Sequence, residues 1–381
     1  MRRTLQPTST ATVHPPPQVK GLMTTEHSPA LPGGRRPTMG DVAERVGVSR
    51  QLVGIVFRND KGVSAETRGR ILAAAAELGY QPDVAAQTLR QRSSKYLGVV
   101  FSPANSAESD IIESLYVAAA AGGYGVVLSA LTSSRAATTA IEEVLGYRCA
   151  ALLMIGSVVP ITDLRAAAGK LPVVLIGGAK AQPTGCDYVR SAGDVAIAQI
   201  VDYLAGLGHR EIAYIYGSGM ASADLRHAGY LTAMTKLGLT PRTVHIAGDY
   251  TENSGAAAAS ILLRDSTFPT AVIAANDQSA SGFIHACLRV GLRVPQDVSV
   301  TGFDDSRIAQ LPYLQLTSMR QDGQLMAQAS VEAALSRIKG RREPIETVIT
   351  PTLVIRASTD VPRATDIAYP GSPNVELTGR E

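Results

Sequence analysis

Arg50, Gln51, Gly54, Ile55 and Arg58 fall on one face of a short stretch of sequence if that stretch is helical, because helical neighbours recur every three to four residues. Their chemistry suits the floor of a DNA major groove. Arg can fork onto a guanine edge, Gln onto an adenine edge, and Ile can touch a thymine methyl. A solvated face on an ordinary three-helix bundle is the other reading of the same residues.

A second group of polar residues closes apolar runs further along the chain. Ala274-Ala275-Asn276-Asp277 and Gly302-Phe303-Asp304-Asp305 each end such a run, and Arg226 heads a helical stretch after the run Ile212–Ile215. In open parallel sheets, ligands sit outside the C-terminal ends of strands. An Arg, an amide and a carboxylate in one cleft can donate to and accept from adjacent hydroxyls. Capping of a nearby helix competes with ligand contact at each position, and Asp277 and Asp305, second in their pairs, are read as caps.

Other chemistries find little support. Cys149, Cys186 and Cys287 are too few and too far apart for a disulfide framework or a thiolate metal site. The six histidines show no metal spacing. Gly217-Ser218-Gly219-Met220 opens like a dinucleotide fingerprint but lacks the third glycine, so it reads as a turn. No nucleophile elbow stands out. The expectation is a protein that is not an enzyme, with no cofactor and no metal.

These side chains need elements to carry them. Thr38, three residues before Asp41, caps a first helix with Met39, Val42, Ala43 and Val46 inward, and Gly47 ends it. Ser49 caps a second helix with Val53, Val56 and Phe57 inward. Two short helices about a glycine turn make a helix-turn-helix. Ser64 caps a third helix whose stripe is Ile71, Leu72, Ala75 and Leu78, and Gly79 ends it. The segment Pro82–Arg90 is too short for a stable helix without support. From Tyr96 onward, the apolar runs Leu97–Phe101, Gly125–Leu128, Ala151–Ile155, Val173–Ile176, Ile212–Ile215, Ala271–Ala274 and Val298–Gly302 alternate with Ala-rich amphipathic stretches. That cadence predicts parallel sheets with helices on both faces.

The 381 residues, 45% of them apolar, suffice for more than one core. Residues 1–95 carry 14 Lys and Arg against 7 Asp and Glu, although the whole chain is only +3. A basic head on a mildly acidic body fits an electrostatic grip on phosphates. No apolar run reaches the length of about 18 residues needed to cross a membrane, and residues 1–20 lack a secretory apolar region, so a cytoplasmic location is expected. Residues 1–37, rich in Pro, Thr, Ser and Gly, and 361–381 are expected to be unstructured tails.

Ordered motifs extend this reading. Gly40-Asp41-Val42-Ala43-Glu44-Arg45-Val46-Gly47-Val48-Ser49, Val63-Ser64-Ala65-Glu66-Thr67-Arg68 and Glu77-Leu78-Gly79-Tyr80-Gln81-Pro82 resemble the head of the LacI family of bacterial regulators. Leu207-Gly208-His209, Arg226-His227-Ala228-Gly229-Tyr230, Ala275-Asn276-Asp277, the run Gly291–Asp305 and Arg320-Gln321 carry the likeness through the core. The resemblance covers about Thr38 to Asp360. It implies an N-terminal all-α helix-turn-helix head (38–80), a hinge helix and linker (81–95), and a two-lobed, periplasmic-binding-protein-like parallel-sheet α/β core (96–360). DNA contacts would come from Thr38, Ser49, Arg50, Gln51, Gly54, Ile55, Arg58 and Thr67 in the head and Ala86, Leu89 and Arg90 in the hinge. Arg50 and Gln51 match the main base-reading places, and Leu89 matches a leucine that wedges into the minor groove. Ala86 would let two hinge helices approach. Asn105, Arg226, Asn276 and Asp304 would reach a small-molecule effector, with a sugar or sugar derivative as the leading class.

Two departures stand out. Where the family has Val-Ser-Arg-Val-Leu-Asn, this chain has Val53-Gly54-Ile55-Val56-Phe57-Arg58, which alters the operator sequence read rather than the binding mode. Many relatives carry an Asp-Asn or Asp-Asp pair where this chain has Arg190-Ser191-Ala192-Gly193-Asp194, so one acidic ligand contact is expected to be missing. The expected whole is a homodimeric, sequence-specific repressor on near-palindromic double-stranded operator DNA. A transport-type sugar-binding protein is the alternative; it shares the core fold but needs no basic helical head.

Overall fold

The computed structural model describes residues 2–5, 37–57, 61–81, 94–132, 134–156, 159–177, 184–217, 221–246 and 250–363. They divide into a small helical unit and a large α/β unit.

The helical unit contains α1 (Met39–Val46), α2 (Arg50–Phe57) and α3 (Ala65–Leu78). Thr38 and Asp41 form a reciprocal cap on α1: the Thr38 amide donates to Asp41 Oδ2 at 2.6 Å, and the Asp41 amide donates back to Thr38 Oγ1. Gly47 and Gly79 take the left-handed conformation that ends α1 and α3, with φ of 73° and 66°, a region that penalises any Cβ. Val42, Ala43, Val53, Val56, Ile71, Ala74 and Ala75 form the core of the unit. Ala74 takes the inward place expected of Leu72, which is exposed. Ile71, Ala74, Ala75 and Leu78 recur at helical spacing, which leaves Leu72 off the inward stripe.

The larger unit holds two sheets. The first takes β1 (Arg2–Leu5), β2 (Tyr96–Phe101), β3 (Gly125–Ala130), β4 (Ala151–Ile155), β5 (Val173–Ile176), β6 (Asp187–Ser191) and β12 (Glu346–Ile349) in the order β1-β12-β6-β5-β4-β2-β3, all parallel. The second takes β7 (Ile212–Gly217), β8 (Arg242–Ile246), β9 (Ala271–Ile273), β10 (Ser299–Asp304), β11 (Thr317–Arg320) and β13 (Thr352–Val354) in the order β13-β11-β10-β9-β7-β8, parallel except for β13. Helices α4 (Ser106–Ala121) and α11 (Gly323–Ile338) cover one face of the first sheet, and α5 (Ala137–Gly146) and α6 (Ile161–Ala168) cover the other. On the second sheet α9 (Glu252–Leu262) and α10 (Asp277–Arg289) oppose α7 (Gly193–Gly206) and α8 (Ala221–Lys236). Coverage on both faces explains why β4 and β5 are apolar and buried throughout. Among the described residues no helix is long and apolar enough to cross a membrane.

The structure corrects several sequence expectations. Arg2–Leu5, placed in an unstructured tail, is a strand on the free edge of β12, because edge pairing uses main-chain groups and requires no apolar pattern. Residues 361–363, assigned to an unstructured tail, include Arg363, which donates to the carbonyls of Asp297 and, at 2.9 Å, Phe268. Asp277 and Asp305 are not helix caps. Asp277 accepts from the Ser318 hydroxyl at 2.5 Å and the Ser306 amide at 2.6 Å, and Asp305 pairs with Arg320 and Arg356. Both carboxylates tie down the loop after β10.

Helices α9 and α10 lie so close that a Cβ at Gly255 would come within 1.8 Å of the Ser279 carbonyl, and one at Gly282 within 1.9 Å of the Glu252 carbonyl. Gly282→Ala should therefore destabilise the protein by about 1–3 kcal/mol through overpacking, seen as a lower urea midpoint. An unchanged midpoint would show that the two helices can part without loss.

Candidate functional site

In the helical unit Arg50 and Gln51 stand exposed in the first turn of α2 and have no side-chain partner among the described residues. Ser49 holds that turn, its hydroxyl accepting from the Leu52 amide at 3.2 Å. Nearby cations are committed to the unit itself: Arg68 donates to the Val56 carbonyl, Arg70 to the Val46 carbonyl, and Arg45 pairs with Glu77. Ile55 is half-buried. Gly54 is buried. Thr38 and Thr67 lie at the starts of α1 and α3, where Thr67 Oγ1 accepts from Ser64. Arg58, Ala86, Leu89 and Arg90 lie outside the described residues.

In the larger unit the chain passes between the sheets three times, at Ala192, at Gln321-Asp322 and at residues 350–351. The Ala192 amide donates to the Ile349 carbonyl at 2.9 Å, and the Ser191 hydroxyl bonds Gln321 Oε1, lacing the crossings together. Beside them lies a cavity of about 480 Å³ walled by both lobes. The four residues expected to touch a ligand, Asn105, Arg226, Asn276 and Asp304, all line it.

Each is held differently. Arg226, on α8, donates to the Ser222 and Ala275 carbonyls at 3.1 and 2.8 Å and lies 4.3 Å from the Phe303 ring centroid. A Cβ at Gly193 would come within 2.9 Å of its Cγ, so a glycine there gives the arginine its place. Asp304 ends β10 with φ 106°, a strained value for a side-chain-bearing residue. Its Oδ1 accepts from Gln321 Nε2 at 2.5 Å. Burial raises its carboxyl above the usual range, with Arg226 and Gln321 opposing. Asn276 caps α10: Oδ1 accepts from the Ser279 amide and Nδ2 donates to the Tyr250 carbonyl. Asn105 likewise caps α4 through the Ala107 amide. For the two asparagines, capping coexists with a place on the wall.

Glu108, Asp224, Tyr250, Phe303 and Gln321 also line the cavity and were not assigned to it from sequence. Glu108, three residues after Asn105, reads as a capping-box partner. Its Oε2 instead accepts from the Ser102 amide at 2.7 Å, which turns the carboxyl inward. Arg190 joins the wall while bonded to Glu346 at 2.6 Å, whereas Asp194 is not among the lining residues. Acidic chemistry in the cavity thus comes from Glu108, Asp224 and Asp304. Among the described residues no cluster of His, Cys, Asp and Glu could hold a metal ion.

Burial pushes the Glu108 carboxyl up to about 8; the Ser102 amide and the Asn105 side chain oppose this, and Asp304 adds to it. Between its ordinary value of 4.5 and about 8, the folded protein keeps a proton that the unfolded chain has released. The contribution of this group is whole below that window and is lost as pH rises through it. Glu108→Gln should flatten the fall of thermal stability across the window, measured by melting at a series of pH values. A fall as steep as in the wild type would assign the titration to another group.

Residues 38–83 match the family model described as "Bacterial regulatory proteins, lacI family", and residues 201–359 match the one described as "Periplasmic binding protein-like domain". The lactose operon repressor of Escherichia coli (strain K12) is 32% identical over 334 residues, which are 85% of this chain and 91% of that one. The crystal structure of the lac repressor dimer bound to operator and the anti-inducer ONPF superposes with a TM-score of 0.73 at 31% identity, covering 86% of this chain and 100% of that one. A complex of the transcriptional regulator CelR with cellobiose gives 0.61 at 29% identity, covering 85% of this chain and 100% of that one. Head, core and near full-length likeness agree: the chain belongs to the lacI family of bacterial regulatory proteins.

Proposed function

We propose that this chain is a cytoplasmic, dimeric repressor, not an enzyme, which reads a near-palindromic operator with α2 and releases or grips it in response to a hydroxyl-rich small molecule, most simply a sugar. The observation that carries this reading is the pairing, in one chain, of an exposed Arg50-Gln51 turn with a cavity whose wall alternates Arg226 with Asp304, Glu108 and Asp224. Acceptors and donors at that density match adjacent hydroxyls. A lac repressor dimer on operator and a cellobiose complex among the relatives support both halves. A transport-type sugar-binding protein has no use for the helical head. Ala86, Leu89 and Arg90 complete the DNA-contacting set in this reading, as a hinge that forms on the minor groove.

Two substitutions separate the halves. Arg50→Ala should weaken operator binding by about 1–3 kcal/mol and relax base preference at one position per half-site, with a much smaller loss on random DNA. Selection of sites from a random DNA library by the wild type, followed by titration of both proteins, measures this. Equal losses on both DNAs would make Arg50 a backbone contact.

Asp304→Asn should abolish the response to an active sugar while operator affinity stays within about twofold of wild type, giving a repressor that no longer switches. Operator release is to be followed across a panel of mono- and disaccharides. Release by the variant at the sugar concentration that suffices for the wild type would remove Asp304 from the ligand site.

A further inference from the structure

Beside the cavity wall, close in sequence to the lining residues Glu108, Ile111 and Asp304, the two lobes are joined by ion pairs that involve no lining residue. Arg307, three residues beyond the end of β10 in one lobe, reaches Asp110 at 3.1 Å and Glu113 at 2.9 Å, both on α4 of the other lobe. One guanidinium thus bridges two carboxylates on successive turns of a helix whose first turn supplies Glu108 to the cavity wall. The carboxylates sit within a helix of one lobe and the guanidinium on the turn that follows a strand of the other, so both ion pairs span the two lobes and respond to the angle between them. Arg307 is 78% exposed, which leaves the bridge open to screening by salt, with a Debye length of about 10 Å at 0.1 M.

We propose that Arg307, Asp110 and Glu113 form a salt-sensitive latch across the cleft, which sets how readily the lobes part and hence how far the cavity is preformed. Ligands that touch both walls bind the latched arrangement, so the latch favours their binding and couples it to ionic strength. An exposed pair shifts an equilibrium by about two- to fivefold, enough to matter where two arrangements of nearly equal free energy compete.

The test requires neither DNA nor a sugar, so its failure would leave the regulator reading intact. Spin labels at Lys170→Cys and Lys236→Cys, exposed positions on opposite lobes, report the distance between lobes in full-length protein, diluted with unlabelled subunits. The native cysteines are buried. Wild type should show a narrow distribution at low salt that broadens as NaCl is raised. Arg307→Gln should be broad at low salt, its separated fraction about two- to fivefold higher, and insensitive to added salt. Arg307→Glu should be broader still, and adding Asp110→Arg and Glu113→Arg should restore the narrow distribution. Melting curves check that each variant is folded. Distributions that coincide for wild type and Arg307→Gln at both salt concentrations, or a reversed set that fails to restore the narrow state, would overturn the latch.

Discussion

Two independently cored sheets share a single chain that crosses between them three times at one place. Each sheet is covered by helices on both faces, so the lobes have no common apolar core, and their junction is built from crossings and polar contacts. Ser191, Gln321 and Asp304 form a continuous hydrogen-bonded line from the crossings to the cavity wall. Crossings and cavity wall therefore share Ser191 and Gln321, and a group hydrogen-bonded to Asp304 would act on the strand connections through them. Segments of this kind absorb lobe rotation in proteins that close around ligands.

Buried charge does the fixing around that junction. Asp187, fully buried at the start of β6, accepts from Arg341 and from the Ile345 amide, which binds the segment entering β12 to the strand beside it. Asp305 is gripped by Arg320 and Arg356, and Asp277 by two serines. A Cβ at Gly302 would meet Asp277 Oδ1 at 2.3 Å, so the glycine makes room for that carboxylate. Buried carboxylates are costly unless they are paired or hydrogen-bonded. Paired or hydrogen-bonded as they are here, they fix the position of the turn after Asp304 that carries Arg307.

Much of the architecture was legible in local pattern. Strands β4 and β5 have the boundaries expected from their uninterrupted apolar runs, because a strand covered on both faces has no polar positions to confuse the reading. Thr38, Ser64, Gly47 and Gly79 bound α1 and α3 as their cap chemistry requires. Strands β6, β8, β11 and β12 gave weaker signals. Asp-Tyr-Val-Arg-Ser in β6 mixes a buried ion pair and a cavity-lining arginine with its core residues, and polar residues with tertiary partners look like loop in a local reading. Leu72 looks like a core residue by its chemistry, yet the inward stripe of α3 runs Ile71, Ala74, Ala75 and Leu78 at helical spacing, so phase outweighs residue type.

The sequence by itself determined the classes of element, the helix-turn-helix order, the exposed Arg50-Gln51 turn and the family, because these depend on cap residues, periodicity and motifs contiguous in the chain. It also indicated Asn276 and Asp304, which follow apolar runs within motifs, and, through the family resemblance, Asn105 and Arg226, although Arg226 lies in the second turn of its helix rather than at its head. Tertiary structure decided what those residues do and which others join them. Glu108 turns into the cavity because the Ser102 amide draws it there, Asn276 spends both ends of its amide on capping α10 and on the Tyr250 carbonyl, and Arg307 finds its carboxylates nearly two hundred residues away. No local pattern encodes such pairs: the partners are brought together only when the chain has crossed between its sheets, and the free energy that selects them is that of burial and charge in the assembled lobes.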